Sequence, residues 1–242
     1  MEWHDEGIIV SQRKYGEYDA ILEVFTRSHG RHAGIVKGGT GRNHRGNIQV
    51  GNEINVTWRG RLETHLGTFS IEIIKPRAVD FLYTPSKLSA LSSSCAILCV
   101  SMAEHEKHEV LLDGLLAFLD GLYVSDDNIL NWGPLLVQFE LGLLSELGFG
   151  LNLSNCAATG TKENLVYVSP KSGRAVSSDA GRPYHDKMLT LPNFLINKGY
   201  AVTQQDILDG LILTEYFMDR HMLQPFGKKL PPARRMIMDY IV

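Results

Sequence analysis

Only three cysteines, Cys95, Cys99 and Cys156, occur in the 242 residues, too few for a disulfide framework and in keeping with a reducing cytoplasm. Long apolar runs are also missing. The longest charge-free stretch, Leu88 to Ala103, has 16 residues, five of them serine. A membrane-spanning helix needs about 20 apolar residues, so no span is expected. The opening Met1-Glu2-Trp3-His4-Asp5-Glu6 is acidic and precedes only a short apolar stretch, so no signal peptide is expected. Neither charge sign dominates: 24 Lys+Arg against 27 Asp+Glu leave a formal charge of -3, which excludes a uniformly basic protein. Hydrophobic residues at 44% and charged residues at 21% exclude a wholly disordered chain. The expectation is a cytoplasmic protein of one or two domains.

Catalytic signatures are scarce as well. Gly38-Gly39-Thr40-Gly41-Arg42 has the glycines of a phosphate loop but no closing Gly-Lys-Ser/Thr, and His44 stands where a dinucleotide fingerprint needs glycine. His105-Glu106-Lys107-His108 sets its histidines three apart, whereas a metalloprotease helix needs four. Cys95 and Cys99 sit in an apolar stretch and read as inert core residues. No Gly-x-Ser-x-Gly elbow is present. Nothing points to an enzyme.

What the chain does have is uneven charge. Residues 1–80 hold 11 bases and 10 acids, residues 81–155 hold 2 and 9, and residues 156–242 hold 11 and 8. Between Arg27 and Arg61, seven bases (Arg27, Arg31, Lys37, Arg42, Arg45, Arg59 and Arg61) face one acid, Glu53. Such a patch is either a solvated surface or a polyanion site.

Periodicity divides the chain near residue 80. Before it come five short strand patterns, at 7–11, 20–25, 32–36, 53–58 and 67–73, separated by glycine-rich turns. Five strands without a good helix predict a small closed barrel of the OB type. After it the period becomes helical. Thr84-Pro85 opens a buried helix over Leu88–Ala103, and further helices are expected at Val110–Leu122, after Trp132-Gly133-Pro134 up to Gly148, and from the Thr203–Asp206 capping box to about Arg220. The insert at about 155–184 reads as irregular, with one strand-like piece at 165–168. The expected fold is an α+β multidomain protein: an OB-type barrel over 1–80, then a helical domain over 81–242.

The order Tyr15-Gly16-Glu17-Tyr18-Asp19, Phe25-Thr26-Arg27-Ser28-His29-Gly30-Arg31, Val36-Lys37-Gly38-Gly39, Trp58-Arg59-Gly60-Arg61-Leu62 and Leu66-Gly67-Thr68-Phe69 resembles the RecO family of bacterial recombination-mediator and DNA-repair proteins. The resemblance continues through Phe139–Gly148 and Cys156–Gly160 and so covers nearly the whole chain. It implies an OB-fold followed by a helical domain. It also implies non-enzymatic work: binding single- and double-stranded DNA, annealing complementary strands, and helping to load RecA on strands coated by single-stranded-DNA-binding protein (SSB), with RecR as a partner. Nucleoid association in the cytoplasm follows. The competing reading is a protein-interaction module whose DNA binding is incidental.

With that family supplying a polyanion, Arg27, Arg31, Lys37, Arg42, Arg45, Arg59 and Arg61 become candidate phosphate contacts. Trp58 becomes a candidate base-stacking platform, as do Phe25 and Phe69, although rings in so small a barrel are more often core. The family captures the acidic, apolar-ended SSB tail on its helical domain. Lys198, Phe217, Arg220, Lys228, Lys229, Arg234 and Arg235 supply the cations and apolar surface such a tail needs, with Phe194, Leu195, Met222 and Phe226 close in sequence. Some members also carry two Cys-x-x-Cys zinc knuckles. Here the first pair falls on Cys156 and Thr159 and the second near Ser177 and Ala180, so three thiolates are missing. No metal and no cofactor are expected, and hydrogen bonding should hold the loop instead.

Overall fold

The computed structural model describes residues 1–41, 46–62 and 65–241. Five strands form a closed barrel in the order β1-β2-β3-β5-β4: β1 (Glu2–Tyr15), β2 (Asp19–Thr26), β3 (Gly30–Val36), β4 (Glu53–Arg59) and β5 (Gly67–Lys75). Each expected strand lies inside one of these. β1 is long because it does two jobs: residues 7–15 pair with β2 and residues 2–8 pair with β4. An irregularity between Ile9 and Ser11 bends it between the two. The parallel β3–β5 contact closes the barrel, and the result is of the OB type. Side chains alternate, so Leu22, Val24, Ile54, Val56, Trp58 and Phe69 fill the interior.

β3 meets β5 only at Gly34 and Ile35. Its first half pairs instead with the segment after the next long helix, where the His105 amide donates to the Arg31 carbonyl at 3.0 Å. Gly30 permits this approach: its φ is +66°, and a Cβ there would lie 2.1 Å from the Glu106 carbonyl oxygen.

That junction buries His32, whose Nδ1 lies 2.8 Å from Nδ1 of His105. Its ring also meets Trp3 and Trp58 edge-on. Burial, then the neighbouring His105 and His29, lower its pKa from 6.5 to about 4. The unfolded chain therefore takes up this proton first as pH falls. Stability should be unaffected by His32 above pH 6.5 and should drop between about 6.5 and 4, by up to about 3 kcal/mol. Urea midpoints measured from pH 7.5 to 4.5 test this, and His32→Gln should flatten the profile.

Contacts divide the chain into two units, Met1–Leu116 with Pro231–Ile237, and Ala117–Leu230 with Met238–Val242. In the first, a short α1 (Arg77–Asp80) follows the barrel, and α2 (Pro85–Ser101) packs on β1 and on α7 (Pro232–Met236). The Cys99 thiol donates to the Val10 carbonyl at 3.4 Å. Burial pushes both α2 thiols up, Cys99 to about 12, which agrees with core cysteines. α3 (Glu109–Val124) belongs partly to each unit.

In the second unit, α4 (Ile129–Glu146) packs against α6 (Gln204–Phe217). The expected start of α4 after Pro134 is corrected. Asn128 caps the helix by accepting the Leu130 amide, and Pro134 lies within the second turn. Gly133 before it has no Cβ to clash with the proline ring, which eases the helical conformation there. α6 opens with the expected capping box, in which Thr203 Oγ1 accepts from the Asp206 amide and the Asp206 carboxylate accepts from Thr203. It continues as a π-helical turn over Met218–Leu223. The insert is more regular than its composition implied. It carries β6 (Leu165–Val168), β7 (Ala175–Ser177) and α5 (Ser178–Gly181), and β8 (Leu189–Thr190), just beyond it, completes a three-stranded sheet of order β7-β6-β8.

Candidate nucleic-acid interface

Strand register places the outward side chains. Arg13 lies opposite Ile21, Ile21 opposite Ile35, Ile35 beside Thr68, and Thr68 opposite Arg59. These form one row across β1, β2, β3, β5 and β4. Two residues further along, Tyr15 lies opposite Asp19, and Lys37 follows β3 to bond Asp19 at 2.8 Å. The first row runs round the closed barrel, with Arg13 and Arg59 at its two ends and the buried Ile21 between them, and Lys37 stands on the adjoining row. The groove elsewhere on the barrel, about 760 Å³, is lined by Asp5, Glu6 and Glu72 against Arg27, a poor match for phosphate.

The expected bases differ in availability. Lys37 pairs with Asp19 and Arg59 with Glu2 at 2.9 Å, and their side chains are 70% and 62% exposed. Solvent screens such pairs, so a phosphate displaces the carboxylate at little cost. Arg61 is exposed. Arg27 is half-buried and bound to Asp113 at 2.8 Å. Arg31 is a correction: its side chain is only 12% exposed and is held by Glu23, Glu104 and the Met102 carbonyl. Pulling it out would leave the part-buried Glu23 carboxylate without its ion-pair partner. Arg42 and Arg45 lie outside the described residues.

Trp58 is also corrected. It is wholly buried in the barrel core, as is, nearly so, Phe69; Phe25 is wholly buried on the other side of β2, and none is accessible to a base. Accessible rings on the barrel lie instead at the β1–β2 turn, in the first segment of the family resemblance: Tyr15, 46% exposed, and Tyr18, 65% exposed. Exposed Arg13 and Lys14 were overlooked. Their signal was weak, because Gln12-Arg13-Lys14-Tyr15 shows no alternation to assign a face.

The seven residues expected to receive a partner do not fall in one unit. Arg234 and Arg235 belong to the first, and Lys198, Phe217, Arg220, Lys228 and Lys229 to the second. Phe217 and Arg234 are buried, which corrects their assignment as contact residues. Lys198, Lys228, Lys229 and Arg235 are exposed, and Phe226, beside the lysine pair, is exposed too. Arg220 lies over the Tyr216 ring at 5.9 Å and lines a groove of about 380 Å³ with Ile212 and Met238, although Glu215 and Asp219 share it.

At the degenerate knuckle, hydrogen bonds converge on the one remaining sulfur. Cys156 is buried, and its sulfur accepts from the Ser177 amide at 3.3 Å and from the Ser177 hydroxyl at 3.4 Å. Burial pushes the thiol up, but hydrogen bonds from Ser177 and Thr159 outweigh it and bring the pKa down to about 6. Thr159 and Ser177, two of the three residues standing where the knuckles need cysteine, thus donate to the remaining sulfur. Among the described residues, no group of three or more His, Cys, Asp or Glu is placed to hold a metal. Elemental analysis of metal-replete, tag-free protein should find no stoichiometric zinc. One tight zinc per chain, lost in Cys156→Ala, would overturn this.

An OB-type barrel followed by a helical region defines a two-module class of protein. The family model described as "Recombination protein O N terminal" matches residues 1–77, and "Recombination protein O C terminal" matches residues 82–230. A protein of Methylocella silvestris named "DNA repair protein RecO" is 46% identical over 97% of this chain and 94% of its own. Proteins of the same name from Rhodospirillum centenum and Cereibacter sphaeroides are 42% and 40% identical, over 99% and 100% of this chain and 94% and 99% of their own. The chain belongs to the RecO family of DNA repair proteins. No helix among the described residues is long and apolar enough to cross a membrane.

Proposed function

We propose that the protein is a non-enzymatic recombination mediator: it binds single- and double-stranded DNA through residues 1–80, anneals complementary strands, and helps load RecA on SSB-coated DNA. RecR is the expected co-partner, and the SSB tail is received on residues 81–242. The observation that carries this reading is the set of exposed cations on the outside of the OB-type barrel, Arg13, Lys37, Arg59 and Arg61. Annealing asks for no reactive side chain. It asks that two polyanions be held side by side, so that cations offset their repulsion and release counterions. Exposed, screened ion pairs suit this, because each base can exchange a carboxylate for a phosphate.

The test is strand annealing followed by energy transfer between labelled complementary oligonucleotides, with and without SSB. Acceleration should persist on SSB-coated strands and fade as salt rises. DNA binding without acceleration would overturn the mediator reading. A second reading, an interaction module with incidental DNA binding, draws on Arg27, Arg31, Lys37 and Arg59 each already sharing a carboxylate. It predicts weak DNA affinity with a shallow salt slope.

A further inference from the structure

We propose that the β1–β2 turn is a base-stacking platform specific for single strands, with Tyr15 and Tyr18 as its aromatic surfaces. The inference rests on the DNA-binding reading above. Tyr18 is 65% and Tyr15 46% solvent-exposed, although an aromatic ring loses free energy by facing water. They occupy the two sides of a tight turn in which Gly16 has φ +63°.

The turn is also braced. The Tyr18 carbonyl accepts from both the amide and the hydroxyl of Thr40, at 3.0 and 2.9 Å. Asp19 accepts from the Gly38 amide at 2.9 Å and holds Lys37 at 2.8 Å. A rigid turn loses little further conformational entropy on meeting a ligand. Lys37 also lies close enough to Tyr15 to interact with it electrostatically.

The charges there are nearly balanced. Arg13, Lys14 and Lys37 face Glu17 and Asp19, and Glu17 bonds the Tyr18 hydroxyl. Phosphates drawn to Lys37 meet Glu17 and Asp19 at the same turn, so ring–base contact adds affinity there that charge alone does not supply. Stacking needs unpaired bases, so this surface discriminates single strands from duplex, and it does so without reading sequence.

The test uses the full chain with three probes of equal length: oligothymidylate, the same strand made abasic, and a duplex. Tyr15→Ala/Tyr18→Ala should keep the wild-type unfolding midpoint, because both rings are exposed. It should lose about ten-fold or more in oligothymidylate affinity with an unchanged salt slope. Its affinity for the abasic strand and the duplex should stay at the wild-type value. Tyr15→Phe/Tyr18→Phe should bind as wild type, since the ring is kept. Equal weakening on the abasic strand, or no weakening on oligothymidylate, overturns the platform while leaving DNA binding standing. Wild-type protein that binds none of the three probes at low salt overturns the DNA reading itself, and the platform with it.

Discussion

Replacing Lys37, Arg42, Arg45 and Arg59 together by alanine is expected to weaken single-stranded DNA binding at least about ten-fold at low salt and to flatten its salt dependence. Each phosphate contact on a single strand contributes about 0.7 to the slope of log K against log salt, so four contacts would remove close to ~3. The loss should be the same for all sequences, because phosphates carry none. Two of the four replacements leave a carboxylate behind: Asp19 without Lys37, and Glu2 without Arg59. Part of the loss would then be added repulsion. The control is Asp19→Asn with Glu2→Gln, which frees the same two bases and should tighten binding. Titrations over a salt series for both variants read slope and intercept separately. Unchanged affinity in a folded quadruple variant would move the DNA surface to the basic block at 156–242.

That experiment spares Arg31, for a reason the sequence could not display. Its partners, Glu23 and Glu104, lie 8 and 73 positions away, and only the pairing of residues 104–105 with β3 brings the second one in. Lone charges in a basic run look equivalent until the fold assigns them neighbours. Strand identity was far more readable, because Glu53-Ile54-Asn55-Val56-Thr57-Trp58-Arg59 alternates without a break. The same alternation puts Trp58 in phase with Ile54 and Val56, facing inward, and Arg59 in phase with Asn55 and Thr57, facing out. The inward position of Trp58 was thus legible, and the usual role of aromatics in OB-folds pulled the assignment the wrong way. Tyr15 and Tyr18 are the converse case. They sit where β1 loses its alternation, so only the structure separates exposed rings from buried ones. The start of α4 is misleading in sequence because proline favours a first turn, whereas Asn128, six residues before Pro134, already supplies the cap.

Trp58→Ala should destabilise the barrel by about 3–5 kcal/mol, a large share of the 5–15 kcal/mol typical of a domain. The indole is completely buried and lies parallel to Trp3, with centroids 5.8 Å apart and planes 13° off, while His32 meets it edge-on at 5.1 Å. The backbone is shaped around it. A Cβ on Gly60 would approach the ring to 2.5 Å and one on Gly67 to 2.4 Å, so both strand ends depend on glycine to close over this side chain. Removing the ring leaves a cavity that these tightly apposed strands cannot collapse into without breaking their register. Trp58→Phe is the milder change. It shrinks the ring but also removes a buried indole N–H that has no hydrogen-bond partner, and the two effects oppose each other. Its unfolding midpoint should therefore fall well above that of Trp58→Ala. The DNA phenotype separates core from contact. A core role predicts that Trp58→Phe binds oligonucleotide as wild type does, and that any loss in Trp58→Ala follows its unfolded fraction as temperature rises. If Trp58→Phe keeps its midpoint yet abolishes DNA-dependent quenching of intrinsic fluorescence and weakens binding, then the barrel opens to admit a base, and Trp58 is a stacking residue after all.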